Sequence, residues 1–369
     1  MISEWPITAD ARPPVRPVSA TATHPFARNA ADARRLDEAT TDLFLDPARR
    51  LSDRVRALAW TMRDDLVHSV ERDMRLFLEP RVGNDEALAA SLSSASVAIA
   101  LPLLADGDVL RHQPFAAVLL RRAREAVIGD RIGQRDAGQP DADATMPLLA
   151  HTDASVAQAA MALVVAGSRR RDRFGEPVLL FDDLPAELAA WLAWRVAAAL
   201  RHYLWTIGDM DGPDADTLLT GAVAAVLGGH DEGRGLNAVA ARLAARLDAA
   251  GLAGGAMLKA LAGAGDMPAF TAVLAAAAHL PDPEVWAIVV DPAAGRLATL
   301  LGAAGVERAH AAAVLLTLNE HEAGDALDIF DSLDIEAARR AIAPLARDPE
   351  YRAAIAAVDA ARAFAGNGF

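Results

Sequence analysis

The chain has 369 residues, 53% of them hydrophobic but only 5% aromatic, and no cysteine. That length and apolar share provide one large or two ordinary domains with a substantial core. They exclude a wholly disordered chain, and the missing cysteines exclude disulfides and thiolate metal sites. Thirty-six basic against fifty acidic side chains leave a net charge of −14, which repels nucleic-acid backbones and anionic lipid unless basic groups are segregated into a patch.

Much of the apolar share is alanine, the strongest helix former, and β-branched residues rarely occur in runs. The composition therefore predicts an all-α protein. Arginine almost wholly replaces lysine, Lys259 being the only one. We read this as the coding bias of a GC-rich genome, so arginine richness alone carries little functional weight.

Residues 1–34 are rich in Pro, Ala, Thr and Arg without apolar periodicity, and read as a flexible tail. No apolar segment of signal-peptide length opens the chain, and no stretch reaches the eighteen apolar residues of a membrane span. A cytoplasmic protein is the resulting expectation. From Leu36 the pattern becomes helical, with Leu51, Val55, Leu58, Met62, Leu66, Val70 and Met74 at steps of three and four. Ser52 or Asp53 starts this helix and Pro80 follows its end. Further helices run through "PFAAVLLRRAREAVI", "DASVAQAAMALVVAGSRRRDRF" and "AELAAWLAWRVAAALRHYLW". The acidic Gly/Pro break "GDMDGPDAD" then separates an N-terminal helical region, 35–207, from a C-terminal helical-repeat region, 208–369.

Two breaks resemble each other, "LLAHTDASV" and "AAHLPDPEV", with Asp153 and Asp282 placed to cap the helix that follows. Helix, Asp-containing turn, helix is how antiparallel pairs in HEAT-type arrays are built, so the expected architecture is an irregular, HEAT-like α-solenoid. The order of "LSDRVRALAWTMRDDLVHSVERDMR", "PLLAHTDASVAQAAMALVVAGSRRRDRFGEP", "DLPAELAAWLAWRVAAAL" and "VVDPAAGRLATLLGAAGVER" resembles a bacterial domain-of-unknown-function family of helical-repeat proteins. That resemblance covers most of the chain after residue 45 and implies an α-helical, HEAT-like fold. It brings no activity and no catalytic residues.

The segment "VVAGSRRRDRFGEP", residues 164–177, carries the densest positive charge. For a helix beginning near Asp153, Val156, Ala160, Leu163, Gly167 and Arg170 share one stripe. Arg170 therefore continues the buried face and needs a partner, for which Asp182 and Asp183 are nearest in sequence. Arg169 and Arg173 point away, and Arg171 lies at the edge. One reading makes the whole cluster structural, a single arginine joining adjacent repeats while the others are solvated. The other makes Arg169, Arg171 and Arg173 a site for an anion or an acidic partner. Nucleic acid ranks third, because no aromatic platform beyond Phe174 is interleaved.

The next helix has an apolar face of Leu188, Leu192, Val196, Ala199 and Tyr203 with Arg195 inside it, a second arginine requiring a structural ionic partner. Trp194, Arg201 and Trp205 form a separate stripe. It either covers a neighbouring helix or serves as a binding hot spot, since Trp and Arg are enriched at such places.

No motif for catalysis or cofactor binding emerges. The nine histidines include no HExxH, "NEHE" at 319–322 cannot converge on one metal from adjacent helical positions, and "LGGHDEGRGLN" matches neither nucleotide-binding pattern. The expectation is a protein without cofactor or metal and without a recognisable catalytic centre, acting as a protein–protein interaction or scaffolding module. Its contact residues would be Arg169, Arg171, Arg173, Trp194, Arg201 and Trp205, and a regulatory place in bacterial signalling would suit such a module. The competing expectation is a sensor, or an unrecognised enzyme, holding an anionic small molecule in an arginine-lined groove.

Overall fold

A computed structural model describes residues 50–82, 86–94, 97–106, 109–135, 144–206, 208, 210 and 212–366. The tail expected over residues 1–34 lies outside them. Residues 51–369 form one compact unit. Seventeen α-helices occur among the described residues, with short 3-10 turns and no strand; one isolated bridge joins Arg171 to Pro177. The described part of the protein is all-helical. In order they are α1 (Asp53–Leu78), α2 (Glu86–Ser93), α3 (Ala100–Asp106), α4 (Gln113–Arg135), α5 (Met146–Leu149), α6 (Ala154–Ser168), α7 (Ala186–Thr206) and α8 (Gly212–Gly229). They continue with α9 (Leu236–Ala249), α10 (Gly255–Gly263), α11 (Met267–Ala278), α12 (Asp282–Val289), α13 (Gly295–Ala303), α14 (Arg308–Leu318), α15 (Ala323–Ser332), α16 (Ile335–Ile342) and α17 (Pro349–Gly366).

Local chemistry sets the helix ends. The Ser52 hydroxyl accepts from the Val55 amide to start α1, and Asp153 does the same for Ser155 at α6. Asp282 departs from the expected cap: Pro281 precedes α12, and the Asp282 carboxylate is drawn away to Arg121 of α4.

Two apolar cores result. The first joins α1, α2, α3 and the first half of α4 to α7 and α8, with Met62, Met74, Phe115, Leu192 and Leu200 among its fully buried side chains. The second joins the end of α4 and α5 to α6 and to α9 through α16, centred on Phe270, Leu243 and Leu301. Their members interleave along the chain. Helix α6 belongs to the second core, α7 and α8 to the first, and α9 to the second again. Where α4 crosses α11, the backbones meet at Gly129 and Gly265; a Cβ on Gly129 would lie 2.8 Å from the Gly265 carbonyl oxygen. Only glycine allows that approach, and the left-handed φ of 69° at Gly265 adds a second reason for glycine there.

Candidate functional site

The arginine-rich segment falls where α6 ends, so its side chains fan out instead of converging. Arg170 is 3% exposed. Its Nε and Nη2 donate to the Asp183 carboxylate at 2.8 and 2.5 Å, Nη1 donates to the Ala166 carbonyl at 2.7 Å, and Nη2 also reaches the Arg234 carbonyl at 3.0 Å. Asp183 accepts in addition from the backbone amides of Leu180 and Leu236. A buried ion pair is tolerated only with such complete hydrogen bonding. Asp182 takes a different task, accepting from the Asp231 amide at 3.0 Å. Together the two aspartates fasten the loop before α7 to the loop before α9. The contact is so close that a Cβ on Gly235 would lie 2.7 Å from the Asp182 carbonyl oxygen.

The outward arginines take separate environments. Arg169 borders a depression shared with Asp73, Phe181 and Asp182. Burial raises the Asp73 carboxyl above its ordinary value, with Arg72 opposing. Arg171 donates to the Gly175 carbonyl at 2.8 Å and approaches Asp130 at 3.8 Å. Arg173 lies 4.6 Å over the ring of Phe174, which is 74% exposed. Asp172 organises this turn by accepting from the Phe174 and Glu176 amides.

On α7, Trp194 and Trp205 are 48% and 61% exposed. Arg201, between them in phase, holds Asp216 of α8 through a bidentate pair, and this hydrogen bond lowers the Asp216 carboxyl below its ordinary value. The ionic partner expected for Arg195 is replaced by an aromatic one. Its guanidinium lies 4.3 Å over the Trp191 ring, Nη1 donates weakly to the Trp191 carbonyl, and no carboxylate pairs with it among the described residues. Trp191 is in turn stacked on His112 at 4.5 Å. Nothing among the described residues joins the 169–173 arginines to the α7 tryptophan stripe through a hydrogen bond, ion pair or ring contact.

A second arginine cluster, on α4, went unnoticed in the sequence. Arg121 and Arg122 both donate to Glu125, at 2.8 and 3.0 Å, and Arg121 Nη1 donates to Asp282 at 2.5 Å. Burial pulls the Arg121 guanidinium toward neutrality, but Asp282 and Glu125 outweigh it and leave its pKa above the ordinary value. Arg121 also stands 5.3 Å from the Trp286 ring. These groups line a groove of about 670 Å³ between α4, the 179–185 loop, the start of α9 and α12. Its arginines are Arg121, Arg122 and Arg124, not those of the 164–177 segment. Arg170 and Arg171 face a smaller depression of about 260 Å³ on the other side of Arg122 and Glu125.

A third site was equally missed. Arg75 of α1 is buried and donates to Glu71 and to the carbonyls of Ser91, Leu92, Ser94 and Val97, while Glu71 accepts from the Ile99 and Ala100 amides. The available signal was their four-residue spacing on the same stripe as Met74 and Leu78, which puts both charges inside. Its role is architectural: it caps α3 and shapes the α2–α3 connection. Among the described residues no group of three or more His, Asp or Glu side chains is arranged to hold a metal, and no helix is long and apolar enough to cross a membrane.

A family profile described as an uncharacterised protein conserved in bacteria (DUF2336) matches residues 130–354, more than half of the chain, and the chain belongs to that family. No curated protein and no solved structure matches it.

Proposed function

We propose that this DUF2336-family chain is a non-catalytic protein–protein interaction module in which neighbouring helices stack in HEAT-like pairs. The reading is supported by helices packed side by side along the chain, α7 on α8, α9 on α11, α13 on α15 and α16. The observation that carries it is the pair of exposed tryptophans, Trp194 and Trp205, on one stripe of α7. Eleven residues of helix separate them by about 16 Å, a span suited to two anchor side chains of one partner. Large exposed aromatics cost solvation and are enriched where binding energy concentrates. Arg201 lies between them, and Arg169, Arg171 and Arg173 add charged contacts on the separate surfaces they occupy.

The test is quantitative capture from a bacterial lysate by the wild-type chain and by a Trp194→Ser/Trp205→Ser variant. Loss of a captured protein by the variant, with an unchanged melting temperature, supports the reading. Equal capture by both proteins removes the α7 stripe from the interface. Single Arg169→Glu, Arg171→Glu and Arg173→Glu variants test these charged contacts in the same way.

A further inference from the structure

Helix α6 contains no charged side chain. Among the described helices of eight or more residues, only α11 shares that composition. For α11 burial is the reason, since Met267 through Ala275 are all interior. For α6 it is not. Val156, Ala160, Leu163 and Ala166 are buried, while the opposite face exposes Met161 at 51%, Val164 at 36% and Val165 at 49%. A helix that is apolar all round is ordinarily covered all round, and an uncharged outer face is out of keeping with a chain of net charge −14. We propose that a second copy of this chain covers it, α6 against α6, in an antiparallel two-fold dimer. The α7 tryptophan stripe takes no part, so this inference goes beyond the interaction surface assigned above.

The charge pattern selects a second copy as the occupant. Asp153, Ala157, Met161, Val165 and Arg169 form one ridge at four-residue steps, with an acid at one end, a base at the other and Met161 midway. Both charged residues are exposed, and no ion pair holds either of them among the described residues. Each lies eight residues, about 12 Å, from the centre. Turning the ridge over about Met161 therefore sets each Asp153 beside the other copy's Arg169. Ridges at four-residue spacing lie along one another when two helices cross at about −50°, the commonest packing class. At that angle the two acid–base pairs close the ends, and the apolar middle is buried between them. The positive N-terminus of each helix also meets the negative C-terminus of the other. A parallel pair would instead bring Asp153 onto Asp153 and Arg169 onto Arg169. The same patch serves both copies, as a two-fold contact requires, and the flexible Met161 adapts to its own image near the axis. One helix per copy is small beside the standard of about 800 Å² per partner, so the dimer is reversible and concentration-dependent.

Sedimentation equilibrium of the full chain over a concentration series should show monomer and dimer exchanging. Met161→Glu should weaken association by about a hundred-fold or more, the effect of two uncompensated charges at the centre, without changing the circular dichroism spectrum. Val165→Glu provides the same block if the first variant misfolds. Arg169→Asp should weaken association about five-fold, from two exposed pairs. Asp153→Asn keeps a capping side chain at the start of α6. It should weaken association in the wild-type background yet strengthen it in the Arg169→Asp background, a reversal that requires the two residues to face each other. Because the chain has no cysteine, the register can be read with a short bis-maleimide. Ala157→Cys mixed with Val165→Cys should cross-link faster than either variant alone. The Trp194→Ser/Trp205→Ser variant should dimerise like the wild type, so this proposal and the α7 reading fail separately. Three results would overturn the dimer: association that survives both glutamate variants, preferred cross-linking of Ala157→Cys to itself, or a chain that stays monomeric at every concentration. In that last case the Met161→Cys thiol tells which other occupant is at work. Reaction with maleimide leaves the face for an unlike partner, and protection means that the chain covers it itself.

Discussion

Two arginine clusters of this chain have opposite fates. Arg169, Arg170, Arg171 and Arg173 are conspicuous in sequence but end a helix, where each successive side chain turns by roughly 100° and then the chain leaves the helix. One goes to Asp183 in the interior and the others go to separate surfaces. Arg121 and Arg122 are unremarkable within an Ala/Leu-rich helix, yet Glu125 on the same helix and Asp282 and Trp286 from far along the chain gather them at one groove. Charge density along the sequence is therefore a poor guide to convergence. What assembles a site is a distant partner placed opposite.

That contrast can be broken most severely at its buried anchor. Asp183→Ala should lower unfolding free energy by about 3–5 kcal/mol in urea titration, because Arg170 would be left charged and unpaired in the interior. A loss below about 1 kcal/mol would show that the pair behaves like a surface contact. Next in size is Gly265→Ala. The new methyl group would lie 2.9 Å from Gly129 backbone atoms at a residue with φ of 69°, so a cost on the order of 2 kcal/mol is expected.

Simultaneous Arg169→Ala, Arg171→Ala and Arg173→Ala changes should cost less than about 1 kcal/mol in total, measured by the same denaturation. A larger loss would mean the outward set is structural as well. The smallest effect belongs to Asp216→Asn. Because Arg201 depresses the Asp216 pKa in the folded state, the pair's stabilisation is present at neutral pH and is lost as pH falls below about 4. The variant should consequently show a slightly flatter acid limb in a plot of melting temperature against pH, and an identical limb would remove this pair from the pH response.

Most of the helical framework was legible in sequence. The stripe from Val55 to Met74 appears as the buried face of α1, with Leu51 and Leu58 at its half-buried margin. Asp153 starts α6, and the phase counted from it turns Arg170 inward. These features depend on residues within a few turns of each other, where helical periodicity suffices. The parts that escaped depend on long-range pairing. Asp282 looked like a cap by analogy with Asp153, but Arg121, 161 positions away, claims its carboxylate. Arg195 looked like an ionic residue, but a tryptophan four residues earlier supplies its ring face instead. Glu71 and Arg75 were hidden because the apolar residues around them satisfy the helical pattern without them. The groove itself has no local signature, since its walls come from four separate segments.

The interleaving of the two cores also has a consequence for synthesis on the ribosome. The first core draws on residues 55–123 and then on 179–223, while α6, made in between, belongs to the second core. At roughly 5–20 residues per second, α1 waits about 6–30 s after it is made for α7 and α8 to be completed and cover it. Helix α6 waits in turn for α9. The nascent chain therefore carries uncovered apolar stripes through much of its translation, and the Asp183 connection between the two loops can close only after both cores have begun to assemble.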